Sequence, residues 1–175
     1  MLNGSSGEVV RELFEEYSDD VYRYAAWMLR DSQEAEDVTQ EVFLKVMRSW
    51  GSFRGNASVR TWLWSIVRNT VADEIRRRGR FRSWLRSVEM DQASSLVGAT
   101  ETLGLSEMEG DILELSIPQR QVVLFRIIHG LSTKETATVL GWSDSKVRTT
   151  LHRAIKRLRL RMVGEETMEG GNYHE

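Results

Sequence analysis

A single proline, Pro118, interrupts 175 residues. On either side of it, apolar side chains recur close to every 3.6 residues, with no competing period-two stretch, so the chain is predicted to be all-α. A first helix over about 8–30 would turn Val10, Leu13, Phe14, Tyr17, Val21, Tyr24, Ala25 and Met28 inward. Asp31 and Ser32 then break the chain and recap it. A second helix, 32–50, would bury Ala35, Val38, Val42, Phe43, Val46 and Met47 and turn Glu36, Asp37, Gln40, Glu41 and Lys45 outward. Gly51, Gly55 and Asn56 mark a loop. A third helix, 58–80, uses Val59, Trp62, Leu63, Ile66, Val67, Thr70, Val71 and Ile75 and ends in an arginine run, completing a three-helix unit.

Residues 87–110 are rich in Ser, Gly, Thr and Glu and weakly periodic, which reads as a linker. The second unit restarts near Asp111. Pro118 suits the first position of a helix carrying Val122, Val123, Phe125, Arg126, Ile127 and Ile128, and Gly130 stops it. A helix-turn-helix signature follows from Ser132 to Arg153. Ala137, Val139 and Leu140 give its first helix a buried face, Gly141 supplies the turn, and Val147, Leu151, Ala154, Ile155 and Leu158 form the core stripe of the second. Ser132 and Ser143 are candidate N-caps, and the last helix is expected to fray after Met162 into an acidic tail, 163–175. Ser145, Arg148, Thr149, His152 and Lys156 share the free face at spacings of three or four, where one DNA groove could meet them all.

The formal net charge of −2 conceals segregation. Residues 1–50 carry net −6, 51–86 net +7, 87–111 net −6, 112–162 net +7 and the tail net −4. Two basic blocks separated by acidic ones imply two surfaces that face a polyanion. With no cysteine, disulfides, thiolate metal sites and thiol catalysis are excluded. His129, His152 and His174 show no metal-ligand spacing, so neither metal nor cofactor is expected. No phosphate-cradling glycine loop, activated nucleophile or paired-carboxylate motif supports an enzyme or a small-molecule substrate. The start of the chain has no signal-peptide pattern, and no apolar run reaches the roughly 18 residues of a membrane span, so a cytoplasmic protein is expected.

Five stretches, in order, resemble one family. They are Asp37-Val38-Thr39-Gln40-Glu41-Val42-Phe43, then Ser52-Phe53-Arg54-Gly55, then Thr61-Trp62-Leu63-Trp64-Ser65-Ile66-Val67-Arg68-Asn69, then the arginine-rich helix end and the C-terminal helix-turn-helix. Over residues 8–162 the chain is similar to the extracytoplasmic-function sigma factors of bacteria. The resemblance implies a first domain, 8–86, that binds core RNA polymerase and recognises and melts the promoter's minus-ten element, and a second, 111–162, that reads the minus-thirty-five element. It also implies control by an anti-sigma factor, often membrane-anchored, and no catalysis.

Carried over by residue, the resemblance assigns Asp37, Gln40, Glu41 and Phe43 to a coiled coil of core polymerase. An outward acidic ridge beside an aromatic suits a basic, partly apolar helix, although the same pattern also occurs on ordinary solvated helix faces. Asn69 matches the position lining a pocket for a flipped minus-ten base, with Phe53, Arg54, Gly55 and Asn56 beside it. Trp62 is read as core, whereas Trp64 falls off the apolar stripe and stands equally as core or as a stacking platform. Arg76, Arg77, Arg78, Arg80, Arg82 and Arg86, with Phe81, Trp84 and Leu85, are read as phosphate contacts, against an anionic membrane surface or a solvated helix end as alternatives. Ser145, Lys146, Arg148, Thr149, His152 and Arg153 match the minus-thirty-five reader. Arg148 suits a guanine edge, and Lys156 and Arg157 suit phosphate.

The run Asp144-Ser145-Lys146-Val147-Arg148-Thr149-Thr150 departs from the family's frequent Gly-Thr-Val-Lys-Ser-Arg. That leaves the fold intact through Val147 but points to a different promoter. The overall pattern is most similar to a Gram-positive subgroup linked to envelope stress. A plain two-domain helix-turn-helix regulator, acting without core polymerase, is the competing class.

Overall fold

The computed structural model describes residues 6–88 and 107–169, with side chains over 7–81, 83 and 110–161. All regular elements among them are helical. The chain divides into two units, 1–103 and 104–175. Most of the expected linker and the end of the acidic tail lie outside the described residues.

In the first unit, α1 (Ser6–Leu29), α2 (Ser32–Ser49) and α3 (Val59–Val88) pack on one another. The expected break falls where the sequence places it. Arg30 takes a left-handed conformation at φ 57°, and the Asp31 carboxylate accepts the Glu34 amide at 2.9 Å as the cap of α2. Val21, Tyr24 and Ala25 of α1 meet Ala35, Val42 and Val46 of α2 and Leu63, Trp64, Val67 and Val71 of α3 in the core. A three-helix unit buries only one stripe of each helix. Phe14 and Met47, expected inside, lie at the edges of their stripes and are 48% and 49% exposed. A 3₁₀ turn, Trp50–Ser52, leads from α2 into the loop before α3. The third helix does not stop near Arg80; its backbone continues to Val88.

The second unit contains α4 (Glu107–Leu113), α5 (Ile117–Val123), α6 (Thr133–Leu140) and α7 (Asp144–Glu169). Helix α4 begins four residues ahead of the expected restart at Asp111, and α7 continues past Met162, where fraying was expected. Pro118 sits one residue inside the start of α5, where its missing amide leaves no partner wanting. Helix α5 passes into a π turn, Leu124–Ile128. Ile127, in this turn, is 53% exposed.

Two arginines organise this unit. Arg120, 5% exposed, donates to the carbonyls of Ile112 at 3.3 Å, Leu113, and Leu115 at 3.2 Å, which ties α5 to the last turn of α4 and the residues just after it. Arg161 of α7 meets the buried Asp111 of α4 at 2.5 Å. The helix-turn-helix itself is locally encoded. Ser132 and Glu135 form a reciprocal capping box at 3.2 and 2.8 Å. Gly141 holds φ 66° at the turn. Ser143 Oγ accepts the Lys146 amide at 3.2 Å and caps α7. Val147 and Ala154 then anchor α7 with no exposed surface.

Candidate functional site

Some of the expected site residues of the first unit lie along the seam between α2 and α3. Toward the start of α2, Asp37, Gln40 and Glu41 are exposed, as an acidic ridge requires. Glu34, Asp37, Val38, Glu41, Glu74 and Arg77 line a cleft of 170 Å³ there. Phe43 is not part of that surface. It is 6% exposed and meets the Phe14 ring edge-on at 4.9 Å. Phe43 therefore supports the ridge from below, and the aromatic surface beside it belongs to the half-exposed Phe14.

Farther along the same seam, a cleft of 460 Å³ is lined by Lys45, Arg48, Ser49 and Ser52 from α2 and the turn after it, and by Ile66, Asn69 and Thr70 from α3. Asn69 is exposed at its edge, with its side-chain oxygen accepting Arg68 Nη1 at 2.9 Å, which leaves its amide group to donate. Of these lining residues the sequence assigns only Asn69 to the DNA site. The others had a readable signal: residues 45, 48, 49 and 52, and residues 66, 69 and 70, each recur at helical spacing on one face.

Phe53 does not line the cleft. It stacks on Trp50 with centroids 5.4 Å apart and planes at 16°, and lies 5.2 Å from the Trp62 ring. Trp50 meets Trp62 edge-on at 5.7 Å. Arg54 and Asn56 stand exposed in the adjoining loop, where Gly55 takes φ 71°. Of the α3 tryptophans at 62 and 64, the second takes the core alternative and the first departs from its expected place in the core. Trp64 is 1% exposed and packs edge-on against Tyr24 at 5.7 Å, so it offers no face to a base. Trp62, read as core, is half-buried in the aromatic cluster. Periodicity places Trp62 in the stripe and Trp64 off it, and the contact with Tyr24 of α1 is what covers Trp64.

The arginine run is divided. Arg78 turns inward, donating Nη1 to the Leu29 carbonyl at 2.8 Å and pairing with Glu34, with Glu74 at 3.7 Å and with Asp31 at 3.9 Å. It fastens α3 to the end of α1 and the start of α2, so it is not a phosphate contact. Arg77 grips both Glu74 oxygens at 2.8 Å. Those hydrogen bonds first, and the Glu74 charge second, raise its pKa above the ordinary arginine value. Arg76 pairs with Asp73, and Arg80 is exposed. The side chains of Arg82, Trp84, Leu85 and Arg86 lie outside the described residues.

In the second unit, Ser145, Arg148, Thr149, His152, Arg153 and Lys156 are all exposed on α7. Lys146 is also exposed, with its ammonium 4.1 Å over the Trp142 ring, a cation–π contact that fixes its direction. Among the described residues no group of three or more His, Cys, Asp or Glu could hold a metal ion, and no helix is long and apolar enough to cross a membrane.

Residues 13–81 match the family model for Sigma-70 region 2, and residues 112–158 that for Sigma-70, region 4. The chain is 33% identical over 172 residues to the ECF RNA polymerase sigma factor SigX of Bacillus subtilis, covering 93% of this chain and 89% of the relative. It is 31% identical over 159 residues to the ECF RNA polymerase sigma factor SigL of Mycobacterium tuberculosis, with 87% and 88% covered. Among solved structures, the sigma factor RpoE in complex with the anti-sigma factor NepR from Bartonella quintana matches with TM-score 0.71 at 21% identity, over 85% of this chain and 93% of that one. CnrH, solved with the cytosolic domain of CnrY, matches with TM-score 0.66 at 22% identity, over 90% of each. These two likenesses concern the fold.

Proposed function

Because the chain belongs to the extracytoplasmic-function sigma factors of the sigma-70 superfamily, we propose that it binds core RNA polymerase and directs initiation at promoters chosen by its two units. The observation that carries this is the division of the α2–α3 seam into an acidic ridge at Asp37, Gln40 and Glu41 and a separate cleft edged by Asn69. A basic helical partner on the ridge leaves the cleft open to DNA. A flipped base forfeits stacking worth about a few kcal/mol, which hydrogen bonds from Asn69 and burial in the cleft can offset. Arg54, Asn56 and Arg80 stand exposed to follow the strand, whereas Arg76 and Arg77 must first give up carboxylate partners.

On α7, Arg148 presents a guanidinium to a guanine edge, flanked by Ser145, Thr149 and His152, while Lys146, Arg153 and Lys156 suit phosphate. Residues 8–86 thus form the polymerase and minus-ten domain, 87–110 the link and 111–162 the minus-thirty-five domain. The proposed setting is the cytoplasm, in an envelope stress response. An anti-sigma factor is the proposed inhibitor, with no small-molecule substrate, cofactor or catalysis. The match of residues 13–81 to region 2 favours this over a regulator that works without core polymerase.

The test is capture of core RNA polymerase by the wild-type chain beside an Asp37→Arg, Glu41→Arg double variant whose helicity is checked by circular dichroism, followed by transcription from a pool of upstream sequences. Wild type is expected to bind and initiate, and the variant to fold but lose polymerase. Equal capture by both would remove the ridge assignment. Capture by neither would return the chain to the regulator class.

A further inference from the structure

Lys45 stands where the acidic ridge meets the cleft along the seam. Its ammonium lies 2.8 Å from Glu41 Oε1 on the acidic ridge and donates to Thr70 Oγ1 at 3.2 Å, while the same side chain lines the 460 Å³ cleft. The Thr70 hydroxyl is 99% buried in the sense that the residue keeps 1% of its surface, and it donates its own proton to the Ile66 carbonyl at 2.9 Å. It can therefore only accept from Lys45, which fixes the ammonium at the cleft wall beside Asn69 and Arg48. Glu41 competes for that charge from the other side. The pair is an exposed i, i+4 contact, 37% and 54% exposed, so parting it costs little, a factor of about two to five in an equilibrium.

We propose that Lys45 is a DNA-backbone contact of the cleft that the free protein holds against Glu41, and that a basic polymerase helix docking on Glu41 releases the ammonium to the DNA. The role rests on the polymerase-docking reading of Asp37 and Glu41 above. A cation arriving at Glu41 satisfies the carboxylate, and the Lys45 ammonium, still tethered to Thr70, is left facing the cleft with its charge uncompensated. A phosphate entering the cleft is the complementary anion. Polymerase binding and strand binding then favour each other by the same factor, because both draw on one ion pair.

The probe is a fluorescein-labelled single strand carrying the non-template minus-ten sequence of a promoter that this holoenzyme transcribes, titrated over a range of salt. In the free chain, Glu41→Gln is expected to tighten strand binding about two- to fivefold and to steepen the salt dependence by about 0.7 in log–log slope, one phosphate on a single strand. Lys45→Gln is expected to erase that gain. In the holoenzyme, Lys45→Gln is expected to make the slope shallower by about 0.7, and Lys45→Arg to restore it, which a merely helix-stabilising lysine would not do. The proposal is overturned if Glu41→Gln tightens binding equally in the Lys45→Gln background, since the effect is then the field of the carboxylate alone. It is also overturned if the holoenzyme slope ignores Lys45. Unimpaired polymerase capture by the Asp37→Arg, Glu41→Arg variant would instead sink the docking reading, leaving the holoenzyme slope to decide separately whether Lys45 touches DNA.

Discussion

The two basic blocks, 51–86 and 112–162, carry the same formal charge of +7, yet they deploy it in opposite ways. On α3, three successive arginines are committed to the protein. Arg76 pairs with Asp73, Arg77 with Glu74, and Arg78 with the end of α1 and the start of α2. On the recognition face of α7, Arg148, His152, Arg153 and Lys156 make no ion pair among the described residues and stand exposed. Equal charge counts thus conceal one helix stretch whose cations are paired within the protein and a recognition face on α7 whose cations are presented outward. For a polyanion the second is the cheaper surface to bind, because no internal partner has to be displaced.

The largest expected effects are at Trp62 and Trp64 of α3, one half-buried and the other a core side chain. Trp64→Ala should destabilise the first unit by about 3–5 kcal/mol, through lost burial and the cavity left beside Tyr24. Urea unfolding followed by circular dichroism measures it. Trp62→Ala should cost clearly less stability and instead impair promoter opening, scored by permanganate reactivity of unpaired thymines. Equal destabilisation by both would put Trp62 in the core after all.

Next comes Arg78. Its removal strands Glu34 and the Leu29 carbonyl, and Arg78→Ala should lower stability by about 2–4 kcal/mol. Arg148→Ala should do the reverse. Its melting temperature should match wild type, while affinity for the preferred upstream element falls about ten- to hundredfold and discrimination at one base pair relaxes. Competition binding against single-base variants of the upstream element reads this. A stable Arg78→Ala with weakened DNA binding would mean that α3 deploys its arginines as α7 does.

Much of this architecture is legible in the sequence because it is encoded locally. The Asp31 and Ser132 caps, the Gly141 turn and the outward stripe of α7 each depend on a few adjacent residues, and all are found where the pattern puts them. What the pattern does not carry is set by contacts distant along the chain. Arg78 reaches back 49 residues to Leu29, and Trp64 is covered by Tyr24 of another helix. Periodicity assigns each residue to a side of its own helix, but not to the neighbour that arrives there. The cleft around Asn69 shows the same limit. Half of its lining comes from α2, whose Lys45, Arg48 and Ser49 read in isolation as an ordinary polar helix end.

The finest difference between the blocks is in salt dependence. Each phosphate neutralised by a cation on duplex DNA releases counterions worth about 0.9 in the slope of log K against log salt. Lys156 is exposed on α7, so Lys156→Ala in the holoenzyme on duplex promoter DNA should make the slope shallower by about that amount and weaken all promoters alike. Arg77→Ala should change it by less. The Arg77 guanidinium is already gripped by both oxygens of Glu74, so a phosphate approaching it meets a pair with little net charge, and few counterions are released for its sake. A full 0.9 loss on Arg77→Ala would mean that Glu74 lets go when DNA arrives, and that the commitment of the α3 arginines to the protein is a property of the free chain only. Adding Glu74→Gln separates the cases. With the carboxylate neutralised, Arg77 should recover the full slope contribution if Glu74 was masking it, and should change nothing if the pair already opens on DNA.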